Sequence, residues 1–552
     1  MTQSPNGTGP DSDAARGERM RYRLNDLLAN PYPLEPSYKN RYETLLQYAQ
    51  SLTPHQAYGM LMLLGKDNGF RFPDLPNTGE MRFPGVNAVD LTTQVGWYYL
   101  AGTAHGTDGR DYGILCMFFR YALLPPDTAA HFGLSPLDAQ VVDVQLALSV
   151  GGGNFYQIDP PLIAGTSGKL RVADKLCLAA GDCMFEAATA ASPFPLHVRA
   201  GGVDRAGGRE VPLAVDLTIT SGGRYLLQGL DGAAPLAGGV GTRYYSMPQL
   251  VLDPSKSRIE IDGRTIELTG GTFWFDHQWG VGVVPSIAPR HAALQAAANL
   301  NPSFAGWDFF VANMDGPHAL TLSSIHDANT APFIGQTGPQ PPGVMHARAT
   351  GKYIDPLGIE FAVSGSIEVN AWRKSGDAPN PAIYSSVPTW VPHRWVLTVI
   401  EPVVSDRLRT LTFEPICDDA QALCFALGAR YVEAAVTVFD ATGTRVGTGY
   451  SEAVGYVNPL ATQLGLAGLP VTPEMIALFR PPDISNDLRD QSFLYLIGHW
   501  GEFQKLMACA SMPPGPRPTD CGAPAPAAAA AGTAPPRDEI VRLVSERLGG
   551  AF

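Results

Sequence analysis

Residues 270–280 read GGTFWFDHQWG, and how this run folds governs the reading of the rest of the chain. Phenylalanine and tryptophan favour strands, and a strand sends successive side chains to opposite faces. A strand here puts Trp274, Asp276 and Gln278 on one face and Phe273, Phe275, His277 and Trp279 on the other. Either face sets an ionisable group among large apolar rings. Burial penalises the charged form, so a carboxyl at 276 should have a raised pKa and keep its proton close to neutrality. Such a group is suited to act as a general acid in an apolar pocket. A structural reading stands beside this one, in which Asp276 accepts hydrogen bonds from turn amides and His277 is an ordinary core histidine.

Outward from this run the texture stays strand-and-turn. The preceding residues, RYYSMPQLVLDPSKSRIEIDGRTIELTGG, alternate apolar and polar and turn at Asp262-Gly263-Arg264. The pattern holds from Val86 to Val457, and 59 glycines and 48 prolines suit many short strands better than long helices. One internal echo organises it. GWYYLAGTAHGTDG from Gly96 and GWDFFVANMDG from Gly306 share Gly-Trp, nearby aromatics, small residues and an Asp-Gly turn followed by another apolar strand. The expected fold class is mainly β, with two related antiparallel units at 86–285 and 286–460 and WFDHQWG closing the first. Around them we expect a tail at 1–35, a helical lead-in at 36–85, a helical segment at 461–511, a Pro/Ala linker at 512–536 and an amphipathic helix at 537–552.

Composition excludes several classes of function. A net charge of −13 disfavours nucleic acid and anionic membrane as partners. No apolar run reaches the roughly 18–20 residues of a transmembrane segment. The opening residues lack the apolar core of a signal peptide, which favours a cytoplasmic protein. Three close cysteine pairs (Cys177 with Cys183, Cys417 with Cys424, Cys509 with Cys521) read as loop staples and make export the alternative. There is no G-x-S-x-G elbow, H-E-x-x-H, P-loop or dinucleotide fingerprint, and the 11 histidines are scattered singly. The expectation is therefore chemistry without a metal or cofactor, run by carboxyl, imidazole, phenol and indole groups. The sequence sets no oligomeric state.

Tyr244 to Gly280, from YYSMPQL to GGTFWFDHQWG, resembles the carotenoid 1,2-hydratase / AttH-like lipocalin-domain family, which includes kievitone hydratases and decalin-forming Diels–Alderases. GWYYLAGTAHGTDGRDYGILCMFFR from Gly96, GWDFFVANMDG from Gly306, YSEAVGY from Tyr450 and, more weakly, VPHRWVLTV from Val391 are similar to it too. The resemblance implies two tandem lipocalin-like barrels or sandwiches with a cavity in and between them. It implies acid-catalysed hydration of an alkene in a large apolar, isoprenoid or polyketide-like substrate. Asp276 would be the acid, with His277 beside it as the second catalytic candidate. Trp274, Trp97, Tyr99, Tyr245, Gln278, Trp307 and Asn313 would bind substrate. A pericyclase and a carrier of hydrophobic ligands are the alternatives. Two features qualify the match. Many members carry Glu-Trp-Trp-Tyr where this chain has Gly96-Trp97-Tyr98-Tyr99, which removes a carboxylate. Glu452 matches a family glutamate and is expected to serve as a structural hydrogen-bonding group.

Overall fold

The computed structural model describes residues 81–456, apart from 123–125, 127–129, 131–134, 159–161, 166–167, 205–208, 234–241, 281–305, 327–328, 337, 375–388, 419 and 425–428. The tail at 1–35, nearly all of the helical lead-in, and the helical segment, linker and terminal helix expected beyond 460 lie outside the described residues.

The first unit is one antiparallel sheet of fourteen strands. Its long strands are β1 (Val95–Gly106), β2 (Asp111–Ala122) and β3 (Gln140–Val150). Short strands follow: β4 (Phe155–Gln157), β5 (Leu162–Ala164), β6 (Leu170–Ala173), β7 (Lys175–Ala180) and β8 (Cys183–Ala187). Then come β9 (Leu196–Asp204), β10 (Val211–Ser221), β11 (Leu226–Leu227), β12 (Thr242–Leu252), β13 (Arg258–Ile261) and β14 (Arg264–Gly280). The main order is β4-β3-β2-β1-β14-β12-β10-β9-β8-β7-β6. Short edge strands at β4 and β6 leave little unpaired backbone to recruit another chain.

The second unit comprises β15 (Trp307–Met314), β16 (Ala319–Ile325), β17 (Met345–Ile354), β18 (Glu360–Lys374) and β19 (Trp390–Val399), then β20 (Thr410–Pro415), β21 (Gln421–Cys424), β22 (Ala429–Asp440) and β23 (Arg445–Val454). Its order runs β20-β19-β18-β17-β16-β15-β23-β22, and β20 pairs back to β22, closing an eight-stranded antiparallel barrel with β21 outside the ring. Closure removes sheet edges altogether. The expected mainly-β, lipocalin-like two-unit fold is what the chain adopts, with one unit a closed barrel and the other a larger sheet.

Among the described residues, alternation along the strands makes three cores. Tyr98, Phe273, Phe275 and Trp279 belong to the interior of the first unit, and Phe310, Trp395 and Phe413 to the interior of the barrel. The third lies where the outer faces of the units meet, with Trp97, Tyr99, Met117, Trp274, Val311, Ala435 and Tyr450. Gly113 on β2 permits this approach, because a Cβ there would stand 2.3 Å from the Cβ of Ala435 on β22. The echo noticed in the sequence has a topological meaning. β1 lies between β2 and β14, the second and last strands of its unit, and β15 lies between β16 and β23, the equivalent strands of the barrel.

The cysteine expectation requires correction. The β7–β8 hairpin sets Cys177 opposite Glu186 and Cys183 opposite Ala180. The two are thus three rows apart, about 10 Å along a strand, and on opposite faces. The loop-staple reading of this pair fails because the intervening residues are a tight hairpin. The side chain of Cys424 and all of Cys509 and Cys521 lie outside the described residues. Peptide mapping without reductant is expected to recover Cys177 and Cys183 in separate peptides, and a linked 177–183 pair would contradict the hairpin register.

Candidate active site

β14 is a regular strand through its aromatic run, and it places Asp276 as the alternation anticipated. Asp276 and Trp274 face the junction between the units, while Phe273, Phe275 and Trp279 face the interior of the first. Asp276 is 5% exposed. Three donors converge on its carboxyl. Trp274 Nε1 donates to Oδ1 at 2.7 Å, Ser246 Oγ donates to the same oxygen, and Tyr244 OH donates to Oδ2 at 3.0 Å. Tyr244 and Ser246 stand on β12 in register with Gln278 and Asp276. The first unit therefore assembles this acid from two adjacent strands. Burial pushes the carboxyl up to about 7 against the opposing pull of the three donors.

A cavity of about 650 Å³ opens from Asp276 between the units. Trp97, Tyr99, Tyr244 and Gln278 line it from the first unit, Trp307 and Phe309 from the barrel. Trp97 and Trp307, the two tryptophans of the internal echo, meet edge to face with centroids 6.2 Å apart. The barrel adds a second acid, Glu452 on β23, which also lines the cavity. Trp307 Nε1 donates to its Oε1 at 2.6 Å. Burial, with a smaller contribution from the charge of Asp276, raises the Glu452 carboxyl to about 8.

The two acids occupy equivalent places. Asp276 stands opposite Tyr99 in the β1–β14 ladder, and Glu452 stands opposite Phe309 in the β15–β23 ladder. Tyr99 and Phe309 are each the third residue after the glycine of their Gly-Trp repeat. Behind the cavity, Tyr99 OH donates to Glu433 Oε2 at 3.2 Å. Glu433 is fully buried on β22, directly opposite Glu452, and its carboxyl is raised well above the usual range by burial first and then by Glu452.

Of the residues singled out from sequence, the fold brings Asp276, Trp97, Tyr99, Gln278 and Trp307 to one cavity. Trp274 is fully buried and acts on Asp276 rather than on the cavity. The other three lie elsewhere. His277 points into the first unit, stacked between Tyr98 and Trp279 at 4.3 and 4.4 Å, with both ring nitrogens unpartnered among the described residues. Burial pulls its pKa down to about 3, so it is a neutral core histidine and the catalytic assignment is withdrawn. Tyr245 faces the same interior and donates to Asn87 Oδ1 at 2.8 Å. Asn313 joins the units, donating to the Phe273 carbonyl at 3.1 Å and accepting from Gln249 N at 2.9 Å.

Glu452, expected to be structural, is the residue that sequence reasoning undervalued. Gly96 is the converse case. It lies opposite Arg120, and a Cβ there would sit 3.0 Å from the Arg120 Nε in the first interior. A glutamate at 96 would start toward that arginine, so its absence takes no carboxyl from this cavity. Among the described residues no group of three or more His, Cys, Asp or Glu is placed to hold a metal ion, and no helix is long and apolar enough to cross a membrane.

The raised acids link stability to pH. Asp276 keeps its proton when folded at pH values where the unfolded chain, with a carboxyl near 3.8, has lost it. The folded state thus binds more protons between about 4 and 7, and stability falls as pH rises through that window. Full ionisation of Asp276 should cost on the order of 4 kcal/mol. Chemical denaturation from pH 4 to 8 is expected to show this decline and a flatter profile for Asp276→Asn. A wild-type profile that rises with pH would contradict the raised carboxyl.

Comparison with known proteins follows the same lines. Residues 75–341 match the AttH-like family, a span covering the first sheet and the opening strands of the barrel. No curated protein matches the chain. An AttH protein from Nitrosomonas europaea is similar in structure, with 21% identity over 70% of this chain and 99% of that one and a TM-score of 0.51. Kievitone hydratase from Nectria haematococca aligns at 11% identity over 70% and 99% of the two chains, TM-score 0.42. CghA solved with Sch210972 aligns at 11% identity over 71% and 98%, TM-score 0.29. The Nitrosomonas protein shares the fold, and the other two superpose more loosely. The matched span, residues 75–341, is similar to the family that the WFDHQWG strand resembles.

Proposed function

We propose that the cavity hydrates an alkene within a large apolar substrate, using Asp276 and Glu452 as an acid–base pair. The observation that carries this reading is the presence of two carboxyls with pKa values raised to about 7 and about 8 on facing walls of one aromatic-lined cavity. Hydration needs one group to give a proton to carbon and one to take a proton from water. A pair whose environments hold one proton near neutral pH supplies both.

The hydrogen bonds divide the roles. Asp276 accepts from three donors, an arrangement that suits a carboxylate once the pair loses its first proton. Glu452 accepts from Trp307 through one oxygen and keeps its proton to higher pH. Glu452 therefore protonates the alkene carbon and the π electrons form the new C–H bond. The faces of Trp97, Tyr99 and Trp307 stabilise the tertiary cation. Water adds to it, and its excess proton passes to Asp276. Transfer between the two acids restores the pair. This replaces the single acid expected from sequence with two carboxyls that share the work.

Asp276→Asn and Glu452→Gln should each keep ligand binding and lose turnover by at least ~100-fold, the general acid–base contribution. The pH–rate profile should be bell-shaped, rising as Asp276 ionises near 7 and falling as Glu452 ionises near 8. A rate that is flat at low pH and falls only above 7 would make Asp276 the proton donor. Near-normal turnover in both variants would leave a cyclase or a carrier. His277→Phe, which fills the same stacked slot and leaves no ring nitrogen without a partner, should keep both fold and turnover.

A further inference from the structure

The acids occupy one side of the cavity, and its other side has different chemistry. Across the outer wall of the barrel, ladder register aligns Glu452 with Phe309, Phe309 with Ser323, Ser323 with Thr350 and Thr350 with Ser364. Successive strands are about 4.8 Å apart, so this row leads from the acid to Thr350 in about 14 Å. Along it the lining changes from rings to hydroxyls. Arg348 and Lys352 flank Thr350 on β17, two residues to either side and on its face.

The other charged side chains at that end already have hydrogen-bonding partners. Lys352 Nζ bonds Glu360 Oε1 at 2.5 Å. Glu401 accepts from the Ser364 amide at 2.7 Å and from its hydroxyl at 2.5 Å. Arg348 also lines the cavity and has no acidic partner among the described residues. The first unit reaches over this end, where Arg224 Nη1 donates to the Gly358 carbonyl at 3.3 Å and Leu227 N to Glu360 Oε2 at 3.4 Å.

We propose that Arg348, with the hydroxyl of Thr350 on the same face of β17, forms an anion subsite, and that the substrate is an apolar chain or ring system ending in a carboxylate. The proposal rests on the reading of this cavity as a substrate site and adds its polar terminus. A guanidinium offers paired N–H donors that match the two oxygens of a carboxylate, and the Thr350 hydroxyl can donate a further bond to it. The geometry then places the reacting double bond at a fixed reach from the acid group. With its head on Arg348, the substrate lies along the Thr350–Ser323–Phe309 row and presents carbons about 14 Å away to Glu452 and Asp276.

Binding measured without turnover tests this separately from hydration. Titration calorimetry on the full chain, with oleic acid and methyl oleate as probes, should show the acid bound at least ~10-fold more tightly than the ester at low salt. Arg348→Gln should reduce that preference below ~2-fold with ester affinity unchanged, and Arg348→Lys should restore part of it. The preference should persist in Asp276→Asn, whose defect is in chemistry. Equal affinity of the wild-type protein for acid and ester, binding of neither, or a preference that survives Arg348→Gln would overturn the subsite. None of these results touches the roles of the two carboxyls, which turnover alone decides.

Discussion

A carboxyl placed where two β units close on each other is the constraint on which this structure turns. An ionised carboxylate taken out of water is costly, and it persists only where donors meet it. Asp276 receives three, all from β12 and β14, so the ladder between these strands must hold its register for the acid to exist. A slip of one residue would turn Asp276 into the first interior and expose His277 to the cavity. The aromatic interior behind β14, with Phe273, Phe275 and Trp279 beside Tyr98 and Tyr245, opposes such a slip. Packing on one face of the strand thereby fixes the chemistry on the other.

The junction itself is unusual in its polarity. Alongside Trp97, Met117, Trp274 and Tyr450 it buries Glu433, whose Oε1 has no partner among the described residues and whose carboxyl is raised well above the usual range by burial and then by Glu452. Tyr99 reaches from β1 to Glu433 on β22, and Tyr431 donates to Gln145 on β3 at 3.1 Å. Apolar surface would hold the units together in many orientations. Directional bonds of this kind select one, and with it the relative placement of Asp276 and Glu452.

Much of this was legible in the sequence. Period-two alternation in WFDHQWG predicted which residues share a face, and the two Gly-Trp repeats predicted a doubled β architecture. Local pattern conveys such features because a strand is a local object. Glu452 escaped for the opposite reason. YSEAVGY carries no cluster of rings to mark its glutamate, and only the closure of the barrel and its docking bring it to the cavity. Alternation had already set His277 on the face opposite Asp276, and its candidacy as a catalytic residue came with the resemblance rather than from that pattern. Cys177 and Cys183 misled because close spacing reads alike for a stapled loop and for a hairpin whose register keeps the thiols apart.

The matching register of Asp276 against Tyr99 and of Glu452 against Phe309 bears on how alike the two carboxyls can be. A single unit of this kind, paired with its own copy about a twofold axis, would form the same cavity with one carboxyl from each half. Symmetry would then give both acids identical surroundings, and such a pair can share a proton only by breaking that symmetry from moment to moment. Two unlike units in one chain are free of that restriction. One half has gathered three donors around its carboxyl and the other a single indole, so the two carboxyls stand permanently in different surroundings.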